Sequence, residues 1–311
     1  MKKPKTLILT QREIAGLMTL RAAIPIVREA FVALARGEAI MPPKVYLPLP
    51  RGDDFRAMSA YLQHPAACGM KWVNVHARNR GRGLPTVMAV IVVNDPATGF
   101  PLAVMDGLWM TKLRTAASTA VATQALARPD SRTVGLVGCG AQAEPQVLAL
   151  REVLRIQQVS VWGKVSGDAD RFCDRMARRH PEIAWVPCGS VETCVCDADL
   201  IVTVTPSRRP LVRRAWVRSG THLNALGADA PGKQELDPRI LREATVIVDE
   251  RAQAVHGGEI NVPIRRGQFR ARDIHASLGE VLLGRARGRR TPEEITVFDS
   301  TGLAIHDVAL A

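Results

Sequence analysis

The sequence predicts an α/β protein: a doubly wound parallel-sheet domain joined to an α+β domain. Two observations carry this. From Thr133 to Phe298, the short apolar runs "TVGLVG", "QVSVW", "AWVPC", "LIVTVT", "THLNALG", "TVIVDE" and "EITVF" alternate with stretches of helical spacing. That alternation marks a parallel sheet covered on both faces. From Pro43 to Leu108, by contrast, strand-length runs follow one another with only Gly, Pro and Asp between them, as in an antiparallel sheet.

The elements follow in order. "TQRE" at Thr10–Glu13 is a capping box, and "LRAAIPIVREAFVALARGEA" then carries apolar residues at helical spacing up to Gly37. "FRAMSAYLQ", "CGMKWVNVHA", "PTVMAVIVVND" and "FPLAVMDGL" read as strands, the last two joined by a hairpin turn in "NDPATG". "WMTKLRTAASTAVATQALA" reads as one helix stopped by Pro129, after which the alternating pattern begins, and "STGLAIHD" starts a final helix. At 311 residues and 47% hydrophobic content there is ample material for two cores.

Several function classes are set aside. No apolar run reaches the roughly 20 residues of a membrane span, and the basic opening "MKKPKTLILTQREIAG" lacks the apolar segment of a signal peptide. A cytoplasmic protein is expected. The net charge of +12 comes in bursts, "SRRPLVRRAWVR", "IRRGQFRAR" and "GRARGRR", without interleaved aromatics, which make up 4% of the chain. Solvated faces that attract small anions fit this better than a nucleic-acid surface. Six cysteines suit a reducing compartment, and "CGSVETCVC" has no CxxC pair or nearby histidine, so no metal is expected.

One motif carries cofactor chemistry. "TVGLVGCGAQAEPQVLALREVL" places Gly138, Cys139, Gly140, Ala141 and Gln142 between a buried strand and a helix, with a second strand about twenty residues on. The glycines let the chain turn tightly and let backbone approach a pyrophosphate, which the helix N-terminus stabilises. This makes the second domain Rossmann-type. An NAD enzyme usually ends the next strand with an acid that holds the ribose 2′-hydroxyl. This chain has "VSVWGKVSGD": Gly163 in place of the acid, then Lys164 and Ser166. NADP(H) is therefore favoured, with NAD(H) as the alternative.

Taken together, "KWVN", "LRTAA", "GCGAQA", "GADAPGKQELD", "HGGEIN" and "FDSTGLAIHD" resemble, in order and spacing, the ornithine cyclodeaminase/μ-crystallin family. The likeness is greatest to its archaeal-type alanine dehydrogenase branch. It implies a substrate-binding and dimerisation domain from residues 1–120 and 300–311, a Rossmann domain from 121–299, and a homodimer. The implied activity is hydride transfer between a nicotinamide and the α-carbon of a small amino acid or its imine. Two forms fit: reductive amination of a 2-oxo acid, as in alanine dehydrogenase, and reduction of a ketimine such as pyrroline-2-carboxylate. An ornithine cyclodeaminase-type ammonia lyase and a crystallin-like NADPH-binding protein with little catalysis are the alternatives.

The resemblance assigns roles to residues that are already unusual in themselves. Lys71 lies within an apolar strand, where a lysine is costly unless paired or snorkelling. The resemblance makes it a carboxylate and proton-transfer ligand. Arg114, in a helix of small residues, matches the family arginine shared by cofactor and substrate, and Lys44 matches a basic carboxylate-binding position. Arg56 stands where cyclodeaminases carry a glutamate near the substrate's distal amine, which argues for a short or acidic substrate. Asp229 ends an apolar strand and matches the family's general acid/base, with Lys233 holding cofactor or loop. Thr86 matches a nicotinamide contact. Thr203, Thr205 and Ser300 are strand-end hydroxyls within expected reach of cofactor or substrate. His76, His222, His256 and His306 lie near motifs without an evident partner, and Glu259 of "HGGEIN" reads as a loop-shaping residue.

Overall fold

A computed structural model describes residues 5–311; the first four residues of the basic opening lie outside the described residues. The chain divides into two compact units, one running to Ser118 and regaining Leu303–Ala311, the other formed by Thr119–Gly302.

In the first unit the capping box forms as read: Thr10 accepts from the Glu13 N–H while the Glu13 carboxylate accepts from the Thr10 N–H, opening helix Gln11–Leu17. A second helix, Leu20–Arg36, closes at Gly37. The sheet runs in the order Leu7–Leu9, Pro101–Asp106, Val87–Asn94, Ala67–Val75, Asp54–Leu62, Ala39–Ile40, and Val45–Pro48 also pairs with Asp54–Leu62. The sheet is not purely antiparallel, as the sequence suggested, because Leu7–Leu9 lies parallel to Pro101–Asp106. Tight hairpins force neighbouring strands antiparallel. Leu7–Leu9 reaches its place after two helices and the whole meander intervene, so nothing constrains its direction.

The period of two along these strands sorts side chains between faces. Arg56, Met58, Ala60 and Leu62 alternate inward on one strand, and Lys71 and Val73 on its neighbour. Register sets Lys71 opposite Met58 and Ile91, and Arg56 opposite Val73. Helix Ala304–Leu310 covers this face, and helix Leu20–Arg36 packs against that helix and the edge strand Ala39–Ile40. The opposite face leaves Ile8, Leu47, Met70, Trp72 and Val90 exposed.

The second unit is built on eight strands, all parallel, in the order Ala184–Pro187, Gln158–Trp162, Thr133–Val137, Leu200–Thr203, His222–Ala225, Thr296–Asp299, Thr245–Val248, Ala276–Ser277. Order reverses beside Thr133–Val137, the topological switch point at which such sheets open a crevice beyond their carboxyl ends. The central strands are buried along their whole length between two apolar cores. A small parallel pair, Arg208–Val212 with Gln234–Leu236, has no counterpart in the sequence reading. Among the described residues no helix is long and apolar enough to cross a membrane.

Candidate active site

The first unit buries a cluster of charge. Lys71 is completely buried, and its Nζ lies 2.7 Å from Asp307 Oδ2. The other oxygen of Asp307 takes Arg114 Nε at 3.3 Å. Asp307 arrives on the Ala304–Leu310 helix and Arg114 on helix Leu108–Leu126. Burial lowers the Lys71 ammonium to about 7, Arg114 pushes it the same way, and Asp307 opposes both. Burial also works against ionisation of Asp307, but Lys71 and Arg114 hold its carboxyl below the usual range. One carboxylate thus serves two cations, leaving net positive charge. Beyond Asp307, Lys71 Nζ meets no hydrogen-bond acceptor among the described residues. Two cations sharing one carboxylate have the chemistry to accept a second anionic group. His306 stands beside it, in contact with Ser118 Oγ at 3.2 Å and edge-on to Phe31, and burial holds it neutral by lowering it to about 3.

Lys44, half-buried ahead of strand Val45–Pro48, is close enough for its charge to depress Lys71 further. Arg56 is buried on the same sheet face as Lys71, and Asp54 grips it twice, at 2.9 and 3.1 Å, while Tyr46 lies under its guanidinium. Its charge is therefore already compensated, which the sequence reading did not foresee. Thr86 is half-buried just before strand Val87–Asn94, its carbonyl accepting from the His76 N–H.

In the second unit, the turn after Thr133–Val137 fits a dinucleotide. Gly138 adopts φ 109°, and a Cβ there would lie 2.9 Å from Thr205 Cγ2. Gly140 faces open space ahead of helix Ala143–Val153, with Cys139, Ala141 and Gln142 completing the turn. The bare backbone and the helix N-terminus supply what a pyrophosphate requires. At the end of the next strand, a Cβ on Gly163 would sit 2.6 Å from Cys139 Sγ and 3.3 Å from Asp168 Cβ. Lys164 is exposed, and Asp168, first residue of the following helix, is engaged by Arg171 at 2.6 Å.

Asp229 lies in the loop after strand His222–Ala225, about a third exposed, and is hydrogen-bonded by Lys233. The rest of this loop is held by buried acids. Glu235 accepts from the hydroxyls of Thr203 and Thr205, each at 2.6 Å, and from the N–H groups of Thr205 and Gly227. A side chain at Gly227 would collide with the Thr205 carbonyl and with Glu235. Thr203 and Thr205, expected beside cofactor or substrate, donate their hydroxyl protons to Glu235, and Thr205 also borders the dinucleotide turn through its methyl group. Glu259 accepts from the Glu235 and Leu236 N–H groups, and Asp299 accepts from those of Glu259 and Ile260. Burial raises all three carboxyls, Glu259 well above the ordinary range and Asp299 to about 8. Ser300 follows, buried, its N–H on the Ala225 carbonyl. His222 is buried against Thr296 and neutral.

Asp307 is the residue that sequence reasoning passed over. Its signal was present: an acid inside the apolar helix "AIHDVAL" is as costly alone as a lysine inside an apolar strand. Each of these misfits is the natural partner of the other. Asp54, Asp168 and Glu235 were missed as well, and only distances disclose their partners.

The model of the ornithine cyclodeaminase/mu-crystallin family matches residues 4–311. An alanine dehydrogenase of Archaeoglobus fulgidus is 49% identical over 99% of this chain and 93% of its own length. An archaeal alanine dehydrogenase, solved as a dimer with bound NAD, superposes with a TM-score of 0.93 at 48% identity, covering 98% of this chain and 93% of that one. The Δ1-pyrroline-2-carboxylate reductase of Thermococcus litoralis, solved with NADH and L-proline, gives 0.95 at 33% identity, covering 98% and 95%. On the whole-length match, the chain belongs to the ornithine cyclodeaminase/mu-crystallin family.

Proposed function

We propose that the protein is a nicotinamide-dependent oxidoreductase acting on the C–N bond of a small α-amino acid. It works either by reductive amination of a 2-oxo acid or by reduction of a cyclic ketimine. The observation that carries this reading is the buried Lys71–Asp307–Arg114 cluster, an excess of positive charge suited to an α-carboxylate. Its relatives include an alanine dehydrogenase and a proline-bound reductase.

Gly138, Cys139, Gly140, Ala141 and Gln142 would hold the nicotinamide cofactor, which would supply or accept a hydride at the α-carbon. Lys71 and Arg114 bind the substrate carboxylate, and Lys44 adds to the attraction. Asp307 fixes both cations in place and prevents their mutual repulsion from driving them apart. Asp229 moves the proton at the reacting nitrogen, or at the water that exchanges with it, and Lys233 orients the Asp229 carboxylate.

Gly163, exposed Lys164 and nearby Arg171 leave the end of the second strand with cations and a neutralised acid. This supports a preference for NADP(H), while NAD(H) is bound by the solved relatives. The exposed apolar sheet face around Trp72, Met70 and Val90 supports a homodimer joined through the first unit, which sedimentation would test by finding two chains or one. Six free cysteines fit a cytoplasmic setting.

Asp229→Asn separates chemistry from loop-shaping. Asn keeps the shape and the hydrogen-bonding reach but exchanges no proton near neutral pH. Turnover should fall by roughly 100-fold while cofactor affinity changes little. Near-normal turnover with an unchanged pH profile would make Asp229 a turn residue.

A further inference from the structure

The arginine-rich bursts of the sequence are mostly absorbed by the fold. Arg289 donates to the Leu126 carbonyl at 2.7 Å and to Thr296 at 3.0 Å, Arg214 pairs with Glu243, Arg270 with Asp273 and Arg290 with Glu294. Three that pair with no carboxylate lie together. Arg208, Arg265 and Arg266 line one concavity of about 340 Å³, with Val262 and Gly232 completing its wall. None of the three forms an ion pair with a carboxylate among the described residues.

Unpaired guanidinium groups gathered around a hollow repel one another and gain most from a shared anion. Gly232 adopts φ 84°, which favours glycine, and its missing Cβ leaves space for Arg208 Nη1, which such a carbon would approach to 2.6 Å. The same arginines are tied to the loop that carries Asp229. Arg208 Nη1 donates to the Pro231 carbonyl at 3.4 Å, and Arg265 Nη2 to Asn261 Oδ1 at 3.2 Å. Buried Asn261 in turn accepts from the Gly232 N–H and donates to the Lys233 carbonyl, each at 2.9 Å. Two of the three cations therefore touch the loop or its clamp.

We propose that Arg208, Arg265 and Arg266 form a binding site for a small polyanion, a phosphate- or carboxylate-rich metabolite, whose occupancy stiffens the Asp229–Lys233 loop. Its lining includes no residue of the dinucleotide turn at Gly138–Gln142 and none of the Lys71 cluster, and its effect is regulatory. An anion drawing Arg208 and Arg265 together would fix the hydrogen bonds those groups make to Pro231 and Asn261. Planar, forked guanidinium groups match phosphate and carboxylate oxygens two at a time, whereas a monovalent halide satisfies only one.

The test uses the whole protein saturated with NADH, so that the dinucleotide turn is occupied, and titrates pyrophosphate and, separately, citrate by calorimetry. Sodium chloride at matched ionic strength is the control. Saturable binding of one anion per chain is expected, weakened about tenfold by Arg265→Gln and more by the Arg265→Gln/Arg266→Gln pair. Arg178→Gln, which removes an exposed charge elsewhere, should leave it unchanged. Amide exchange at Gly232 and Lys233 should slow on binding. Stronger binding of pyrophosphate than citrate would assign a phosphate ligand, and the reverse a carboxylate one. Unsaturable binding, no binding to the NADH-saturated protein, or equal binding in the double variant would overturn the site. Unaltered exchange in the loop would overturn its coupling.

Discussion

At the scale of single residues, the candidate site is an exercise in paired misfits. Lys71 was legible in the sequence because a charge interrupts an apolar strand, whereas its partner Asp307 was hidden by 236 residues of separation along the chain. The pair makes a pH prediction. The Lys71 ammonium is lowered to about 7, chiefly by burial, and Asp307 is the group that resists this. Carboxylate binding should therefore weaken as pH rises through about 7 and Lys71 loses its proton. Removing the anion in Asp307→Asn should move that limb of kcat/KM to lower pH; a limb that stays in place would detach Lys71 from it. Gly163 was legible too, as an absent acid, but the sequence could not show that Cys139 occupies the adjoining space. Gly163→Asp alone must displace the Cys139 sulfur. The informative variant is thus Gly163→Asp with Cys139→Ala, which should reverse the proposed preference for NADPH over NADH, while Lys164→Ala should only erode it. Equal dissociation constants for the two cofactors in the unaltered protein would contradict the assignment.

At the scale of elements, the alternating runs after Thr133 were readable because a strand buried on both faces must be apolar throughout. Short strands such as Leu7–Leu9 and Arg208–Val212 were not, since a few residues carry too little period to distinguish a strand from a loop. Glu259 of "HGGEIN" read as a loop-shaping residue, and with Glu235 and Asp299 it holds the loops after the central parallel strands by accepting from backbone N–H groups. Their burial has a measurable consequence. With its pKa raised to about 8, folded Asp299 holds a proton that the unfolded chain releases near pH 4. Between those values the native state binds more protons, so this group's contribution to stability falls as pH rises. Denaturant midpoints at pH 5 and pH 8 should differ in that direction, and the difference should shrink in Asp299→Asn. An identical slope in the variant would mean that Asp299 is ionised throughout.

At the scale of the whole molecule, composition excluded more than it identified. The positive charge suggested attraction of small anions, and the structure distributes it among ion pairs, backbone anchors and one unpaired arginine cluster. The two units divide the chemistry: the first concentrates the groups suited to an amino-acid carboxylate, and the second carries the dinucleotide turn and the Asp229 loop. Net redox chemistry at a C–N bond is tested by one assay. The protein is mixed with NADPH or NADH, ammonium and a panel of 2-oxo acids, or with a cyclic ketimine alone, and separately with ornithine and the oxidised cofactor. Nicotinamide absorbance and ammonia are followed together. Loss of reduced cofactor should be matched mole for mole by ammonia consumed with a 2-oxo acid, or by imine consumed with a ketimine, with no reaction from ornithine. Ammonia released from ornithine with no net change in nicotinamide absorbance would contradict it and make the protein a cyclising lyase.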